Sequence, residues 1–580
     1  MSDTTGGPAH SSTSARLDGP GPGMVLRTWL HAEGFGASAA SARPVIGVCA
    51  SPSELNPCDA GLRELAEAVK RGVLIAGGLP LEFPTISIGE NFVRPTSMLL
   101  RNLLAMDVEE MVNRTPIDGV VFLGGCDKTL PGQLMGAASA GKPALVVPAG
   151  PRLESAFGGR PLVTDDFWTL AAQRAAGQLS DHDWSCLETC LNVSVGTCNV
   201  MGTATTMAVV AEALGMALPG AALLPAVDAR RRQLAEHTGR AAVEAVRSGM
   251  TPGRVMTAAA LDNALRAVLA IAGSTNAIIH LEAIAGRLGL RIGLDHVAEL
   301  AASTPVLADV RPSGPRLLSE LAAAGGVPTL LRALGPLLRR DAVHVAGATM
   351  GEIVDEAPEP DGQVIRTPAD PVRAGGGLTV LRGTLAPRGA VIKSSAASPE
   401  LWSHTGPALV FRNPADLAAR IHDPDLPVTA DSVLVLRDAG PCGGPGMPEA
   451  GGIPIPAKLY ATGVRDLVRV SDARMSGTQA GTIVLHVTPE SAVGGPLGLV
   501  RDGDLVRLDI AAGTLDLLVD EPELARRRGD RTPARPAATR GYEALYVAHV
   551  LQADEGCDFD FLRATGTVST QATDREEEMA

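Results

Sequence analysis

Cys126, Asp127 and Lys128 stand side by side in "LGGCDKTLPG" (residues 123–132), with a glycine pair before them and Pro-Gly after. A thiolate is a soft ligand suited to iron–sulfur clusters, a carboxylate suits a hard cation such as Mg²⁺ or Mn²⁺, and an amine suits neither. Two further cysteines have similar settings, Cys58 in "LNPCDAG" and Cys198 in "VGTCNVMG". Cys198 also precedes a helical pattern, where the helix dipole favours a thiolate. Three thiolates from three loops could grip one cluster and leave an iron open as a Lewis acid. Glu90 and Asp127 could then hold a hard cation beside it. Dispersed cysteines have no diagnostic register, so spacing alone only suggests this chemistry.

The remaining thiols read as packing. Cys49 lies inside a strand, Cys186 and Cys190 are four apart on one helix face, Cys442 precedes a glycine turn, and Cys557 has no supporting context. There is no CxxC or HExxH, and the histidines have no ligand spacing, which argues against zinc. Eight cysteines in a chain of this length do not form a disulfide framework. Only five lysines (70, 128, 142, 393 and 458) stand among 50 basic residues, so a retained lysine hints that an amine is needed.

The elements that must position these residues alternate. "PVIGVCA" reads as a buried strand, followed by a helix near 60–74, an extended "LPLEFPTISIG" ending at Glu90, and a helix around 94–113. "IDGVVFLGG" is a second clear strand that runs into Cys126; a short helix (132–140) and "PALVVPAG" follow. This is a βαβ pattern with a mainly parallel sheet, and its chemistry-bearing loops follow strand carboxyl ends, where such sheets bind ligands. Helical patterns run on to about 340, including "AIAGSTNAIIHLEAIAGRLGL", where Ser274, Thr275 and Asn276 either cap a helix or touch a ligand. After a Pro/Gly-rich linker from about 354, short strands and turns predict a smaller, β-rich, barrel-like domain. Two of its loops stand out, "GPCGGPGMPEAGG" and "SDARMSGTQAG".

The expected organisation is a disordered tail (1–24), an α/β domain (25–365), a β-rich domain (366–565) and a frayed end (566–580). Net charge is −14 with both signs interspersed, which gives no footprint for nucleic acid or an anionic membrane. No apolar run reaches a membrane span and no secretory signal core is present, so a cytoplasmic protein is expected.

In order along the chain, "PCD", "GGCDKTLPG", "GTCNVMGTATTMAVVAEALGMALPG", "GSTNAIIHL", "GPCGGPGMPE" and "SDARMSG…HVTPESAVGGPLGLVRDGD" resemble the dihydroxy-acid and sugar-acid dehydratase (IlvD/Edd) family over about 44–525. "MGTATTM" and "SDARMSGT" resemble its sugar-acid branch, the pentonate and hexonate dehydratases. The resemblance implies a cluster on Cys58, Cys126 and Cys198, 2Fe–2S rather than 4Fe–4S. It implies Mg²⁺ (or Mn²⁺) on Glu90, Asp127, Glu449 and a carbamylated Lys128. Ser476 is then the base and Thr478 binds substrate, with Ser274 and Thr275 as further substrate contacts. The implied reaction removes water from a 2,3-dihydroxy acid to give a 2-keto-3-deoxy acid, in a homodimer or homotetramer. Dehydration of a branched-chain dihydroxy acid and a non-catalytic binding or assembly subunit are the rival readings. The chain departs from the family in a shorter N-terminal segment, in Ala272 where glycine is usual, and in Ala50-Ser51 where Asn-Thr is common.

Overall fold

A computed structural model describes residues 21–36, 43–531, 538–564 and 568–569; most of the two expected tails lies outside these. The first described element is a helix, α1 (Pro22–Ala32). The first domain is built on four parallel strands, β1 (Val45–Cys49), β2 (Leu79–Phe83), β3 (Gly119–Gly124) and β4 (Ala144–Pro148), in the order β2-β1-β3-β4. β1, β3 and β4 are buried along their whole length, which is why they read as continuous apolar runs without alternation.

The crossover helices α2 (Leu62–Ile75), α3 (Arg101–Arg114) and α4 (Thr129–Ala140) join these strands. α2 begins two residues after its expected start, α4 three residues early, and α3 seven residues late, after a 3₁₀ turn at Ser97–Leu100. Two half-buried helices follow, α5 (Asp166–Ala175) and α6 (Asp181–Cys190), then the fully buried α7 (Thr203–Ala213). α8 (Ala229–Ser248) lies against α2 so closely that a Cβ on Gly72 would sit 1.9 Å from the Glu236 carbonyl oxygen. α9 (Ala258–Ala270) and α10 (Asn276–Arg287) complete the interior. In α6 only Leu187 is buried, so Cys186 and Cys190 sit half-exposed rather than on a packed face.

The expected linker is an ordered strap. Its Ile365 is buried, and it bridges Ala308 at Ile365 and Val306 at Arg373, which returns the chain along the first domain.

The second domain carries eight strands: β5 (Thr379–Leu381), β6 (Gly389–Ile392), β7 (Ser403–Phe411), β8 (Val433–Leu436), β9 (Arg469–Ser471), β10 (Ile483–Thr488), β11 (Leu505–Asp509) and β12 (Thr514–Leu517). Their order is β12-β11-β7-β8-β9-β10-β6-β5. The edges meet where Arg382 bridges Thr514, giving the nearly closed, barrel-like sheet the turn-rich sequence predicts. Alternation along β8 fills two cores. Val433 and Val435 join one apolar cluster, and Leu434 and Leu436 join the other. β7 through β10 run parallel, so the loops after β8 and β9 leave from one end of the sheet.

Candidate active site

Strand carboxyl ends deliver the chemistry. The β1 end leads to Cys58, the β2 end to Glu90 and the β3 end to Cys126, Asp127 and Lys128. The β4 end pairs with the Cys198 loop, where Thr197 N–H donates to the Gly150 carbonyl at 2.9 Å. In the second domain Glu449 follows β8, and Ser476 and Thr478 follow β9.

The thiols converge. Cys58 and Cys126 are buried and hydrogen-bonded to one another, and Cys126 also donates to Asp127 Oδ1 at 3.2 Å. That bond to Cys58, then burial and the neighbouring charges of Asp127, Cys58 and Asp59, push the Cys126 thiol up. Burial pushes Cys198 up to about 11 against the pull of Arg152, and the charges of Cys58 and Asp127 add to it. Asp59 pins two of these loops together. Its carboxylate accepts from Gly125 N–H at 2.7 Å and from the Asn56 amide at 2.7 Å.

Beside the thiols, the carboxylate oxygens of Glu90, Asp127 and Glu449 lie within 4.8 Å of one another. Lys128, with 0% exposure, donates to Glu90 at 3.2 Å, to Glu449 at 3.4 Å and to Asp127. Arg474, equally buried, donates to Glu449 at 3.1 Å, to Thr96 at 3.0 Å and to the Met447 carbonyl at 2.9 Å. Burial works to raise Glu90, but Lys128, Arg474 and the Ser97 and Thr96 hydroxyls override it and hold the carboxyl down at about 2. Glu449 moves the other way because its burial outweighs the same two cations. Three carboxylates face two cations, an arrangement that oxygen-ligand cations also satisfy.

Among the expected ligands, Glu90, Asp127 and Glu449 cluster with Lys128, a donor set chemically suited to a hard cation, while Cys58, Cys126 and Cys198 lie within electrostatic reach of one another, a donor set chemically suited to an iron–sulfur cluster. Asp127 borders both.

The Ser476–Thr478 turn follows Arg474 and packs on Gly202 and Thr203, just beyond Cys198. Ser476 Oγ lies 2.8 Å from Thr478 Oγ1 and accepts from Thr478 N–H at 3.4 Å, while Trp168 Nε1 donates to Thr478 Oγ1 at 2.8 Å. Gly477 is required by close approach, since a Cβ there would lie 2.6 Å from Thr203 N and 2.9 Å from Ser274 Oγ. Ser274 does two things: its hydroxyl accepts from Asn276 N–H at 3.2 Å and pairs with Thr203 at 2.9 Å. Asn276 donates to the Met475 carbonyl at 3.1 Å, tying α10 to the serine turn. Thr275 caps nothing, and its buried hydroxyl has no hydrogen-bond partner among the described residues. Ala272 has φ 48°, a left-handed conformation that glycine adopts more readily, which gives the family's preference there a physical basis.

Arg474 and Trp168 were not singled out from sequence as functional, whereas Asn276 was weighed as a cap or a ligand contact and here ties α10 to the serine turn. Arg474 sits inside the quoted "SDARMSG" but reads like any other arginine. Trp168 carried a usable signal, being one of four tryptophans in a chain with 3% aromatics.

Residues 43–353 match the description "Dihydroxy-acid/6-phosphogluconate dehydratase N-terminal", and residues 363–557 match its C-terminal counterpart. The chain is 49% identical to an L-arabonate dehydratase of Azospirillum brasilense over 94% of this chain and 95% of that protein. It is 48% identical to a 6-deoxy-6-sulfo-D-gluconate dehydratase of Pseudomonas putida, over 90% and 91%. Identity falls to 40% with dihydroxy-acid dehydratase 1 of Nocardia farcinica, over 92% and 96%. With both family domains matched over an active-site geometry shared between them, the chain belongs to the dihydroxy-acid/6-phosphogluconate dehydratase family of hydro-lyases, among relatives that include sugar-acid dehydratases.

Proposed function

We propose that this protein removes water from a 2,3-dihydroxy sugar acid to yield the 2-keto-3-deoxy acid. The observation that carries the reading is the cluster of Glu90, Asp127, Glu449 and Lys128 next to Cys126, tied to the Ser476 loop by Arg474, which lies two residues before Ser476 and donates to Glu449 at 3.1 Å. Cys58, Cys126 and Cys198 would hold an iron–sulfur cluster, read as 2Fe–2S. Glu90, Asp127, Glu449 and a carbamylated Lys128 would hold Mg²⁺ or Mn²⁺. Carbamylation turns an ammonium into an anionic oxygen ligand, which only a primary amine allows, and the resulting excess of negative charge calls for a divalent cation. The chemistry these groups supply when bound is Lewis acidity, hard for carboxylate and 2-hydroxyl oxygens and soft for a departing hydroxyl.

The chain's own part is proton handling and positioning. Ser476 Oγ, as the alkoxide after its own proton has passed to solvent, takes the C2 proton; the C3–O bond breaks with its electron pair on oxygen, and the proton now on Ser476 Oγ passes to that oxygen, releasing water and restoring the alkoxide. The enol then tautomerises, and no net oxidation occurs. A serine hydroxyl is a weak base, so the alkoxide that takes the proton has to be stabilised beforehand by hydrogen-bond donors. Thr478 supplies both its N–H and its hydroxyl, the hydroxyl being turned toward Ser476 because its oxygen already accepts from Trp168. Arg474 keeps Glu449 in place from beneath.

The higher identity to sugar-acid dehydratases than to the dihydroxy-acid enzyme favours a polyhydroxy substrate. The test is an anaerobically purified holoenzyme assayed for 2-keto acid from pentonates, hexonates and 2,3-dihydroxyisovalerate, with iron, acid-labile sulfide and visible absorption measured alongside. Turnover of aldonates with a cluster spectrum is expected. Turnover of 2,3-dihydroxyisovalerate alone, or a colourless iron-free protein, would overturn it.

A further inference from the structure

Lys393 follows β6 and is only 1% exposed, yet its ammonium has no hydrogen-bond partner among the described residues. Burying a lysine without a partner is costly, and such a group is retained where something else meets it. The charge that acts on it belongs to Asp165, in the other domain, but no hydrogen bond joins the two. Asp165 is itself half satisfied: Oδ2 accepts from Arg311 Nε at 3.0 Å, while the buried Oδ1 accepts from nothing among the described residues. A buried donor and a buried acceptor therefore stand within electrostatic reach of each other and beyond direct bonding.

Both border the serine turn. Asp165 immediately precedes α5, whose Trp168 donates to Thr478. β6 pairs with β10 at Ile392 and Val484, and the Ala396 carbonyl accepts from Gly481 N–H at 3.0 Å, at the end of the Ser476 loop. The segment 311–313 bonds Asp165 through Arg311 and approaches the chain two residues beyond Lys393, where Ser395 Oγ donates to Ser313 Oγ at 3.4 Å. Desolvation lowers Lys393 to about 7, so the group is easily held in either protonation state by what binds beside it.

A group that accepts from an ammonium and donates to a carboxylate at once is an O–H group, a substrate hydroxyl or a water. Neither a methyl group nor a second carboxylate can do both. We propose that Lys393 and Asp165 together bind a substrate hydroxyl beyond C3, and so select polyhydroxy acids over short or branched dihydroxy acids. This rests on the dehydratase reading above and adds the part of the substrate that the reacting atoms do not define. A site built to hydrogen-bond a hydroxyl discriminates strongly against analogues lacking it, because its own polar groups are then left unpaired.

The test compares wild-type holoenzyme with Lys393→Met, Lys393→Arg and Asp165→Asn on L-arabonate, which has hydroxyls beyond C3, and on glycerate, which has none. Lys393→Met should raise KM for L-arabonate by about 10- to 100-fold, with kcat changed by less than about threefold, and leave glycerate parameters unaltered. Lys393→Arg should recover part of the loss, and Asp165→Asn should fall on the same substrate. Lys393→Met should also melt higher than wild type, since it removes an unpaired buried charge, whereas loss of a purely structural lysine would lower the melting temperature. Equal losses on both acids, or no loss on L-arabonate, would overturn the assignment and leave an ordered water as the bridge. If the holoenzyme dehydrates neither acid, the dehydratase reading fails separately, and calorimetric binding decides the pair. Tighter L-arabonate binding by wild type than by Lys393→Met, with no such difference for glycerate, upholds it; equal affinities, or no binding of either acid, overturn it.

Discussion

Lys128 and Lys393 are both shut away from water, and they are held in opposite ways. Lys128 stands among Glu90, Asp127 and Glu449, whose charges outweigh its desolvation and raise its pKa. Among the described residues Lys393 has a single carboxylate within electrostatic reach and none within bonding distance, so burial wins and lowers it to about 7. The same residue type in two buried settings thus serves two ends. The first amine is locked into an oxygen-rich set beside the thiols, and the second is left with its donors open. The difference shows that burial alone says little about a lysine's role; the count and distance of its partners decide it.

The largest expected break comes at Lys128. Lys128→Arg keeps the charge but offers no primary amine, and turnover dependent on a divalent cation should fall by at least about 1,000-fold. Retained activity would show that the amine is not needed. Lys128→Met, which leaves three carboxylates facing Arg474 alone, should also destabilise the metal-free protein by about 3–5 kcal/mol in denaturant unfolding. The same change at Lys393 should not, and that contrast is the sharpest form of the comparison.

Next in size is Ser476→Ala. Removing the proposed base should lower kcat by about 10²–10⁴-fold while substrate affinity, measured by calorimetry, stays near wild type. A smaller effect is expected where the two regions meet. Trp168→Phe removes the donor that turns the Thr478 hydroxyl toward Ser476, and kcat should drop by about tenfold with the cluster spectrum unchanged.

The smallest effect is a pH dependence of stability. Because the folded pKa of Lys393 lies below its ordinary 10.5, the unfolded chain binds the extra proton between about pH 7 and 10, so this residue makes stability rise with pH there. The penalty is full below pH 7 and gone above the unfolded value. The melting-temperature advantage of Lys393→Met should therefore be greatest near pH 7 and shrink toward pH 10. Lys128, raised instead, contributes stability that is present below its ordinary value and lost only at more alkaline pH. An advantage that grows with pH would contradict the reading of Lys393.

Much of this was legible in advance. The continuous apolar runs at 45–49, 119–124 and 144–148 marked buried parallel strands, and the loops after them marked the ligand edge. Cys58, Glu90, Cys126, Asp127 and Cys198 could be grouped because each follows such a strand or a glycine-rich turn. Arg474 and Asp165 were not legible, because an arginine or aspartate that ends up buried has the same local sequence signals as an exposed one. The strap at 354–377 read as a linker because Pro and Gly mark irregular backbone without saying whether it packs.

Sequence by itself determined the elements, the family motifs and the identity of the groups able to do chemistry, since these depend on local periodicity, turn residues and side-chain type. Only the tertiary structure decided which groups share a site. Lys128 meets Glu449, Trp168 meets Thr478, and Asp165 approaches Lys393 across hundreds of residues of chain. Such pairings arise where two separately packed sheets turn their strand ends toward each other, a relation that no local pattern encodes.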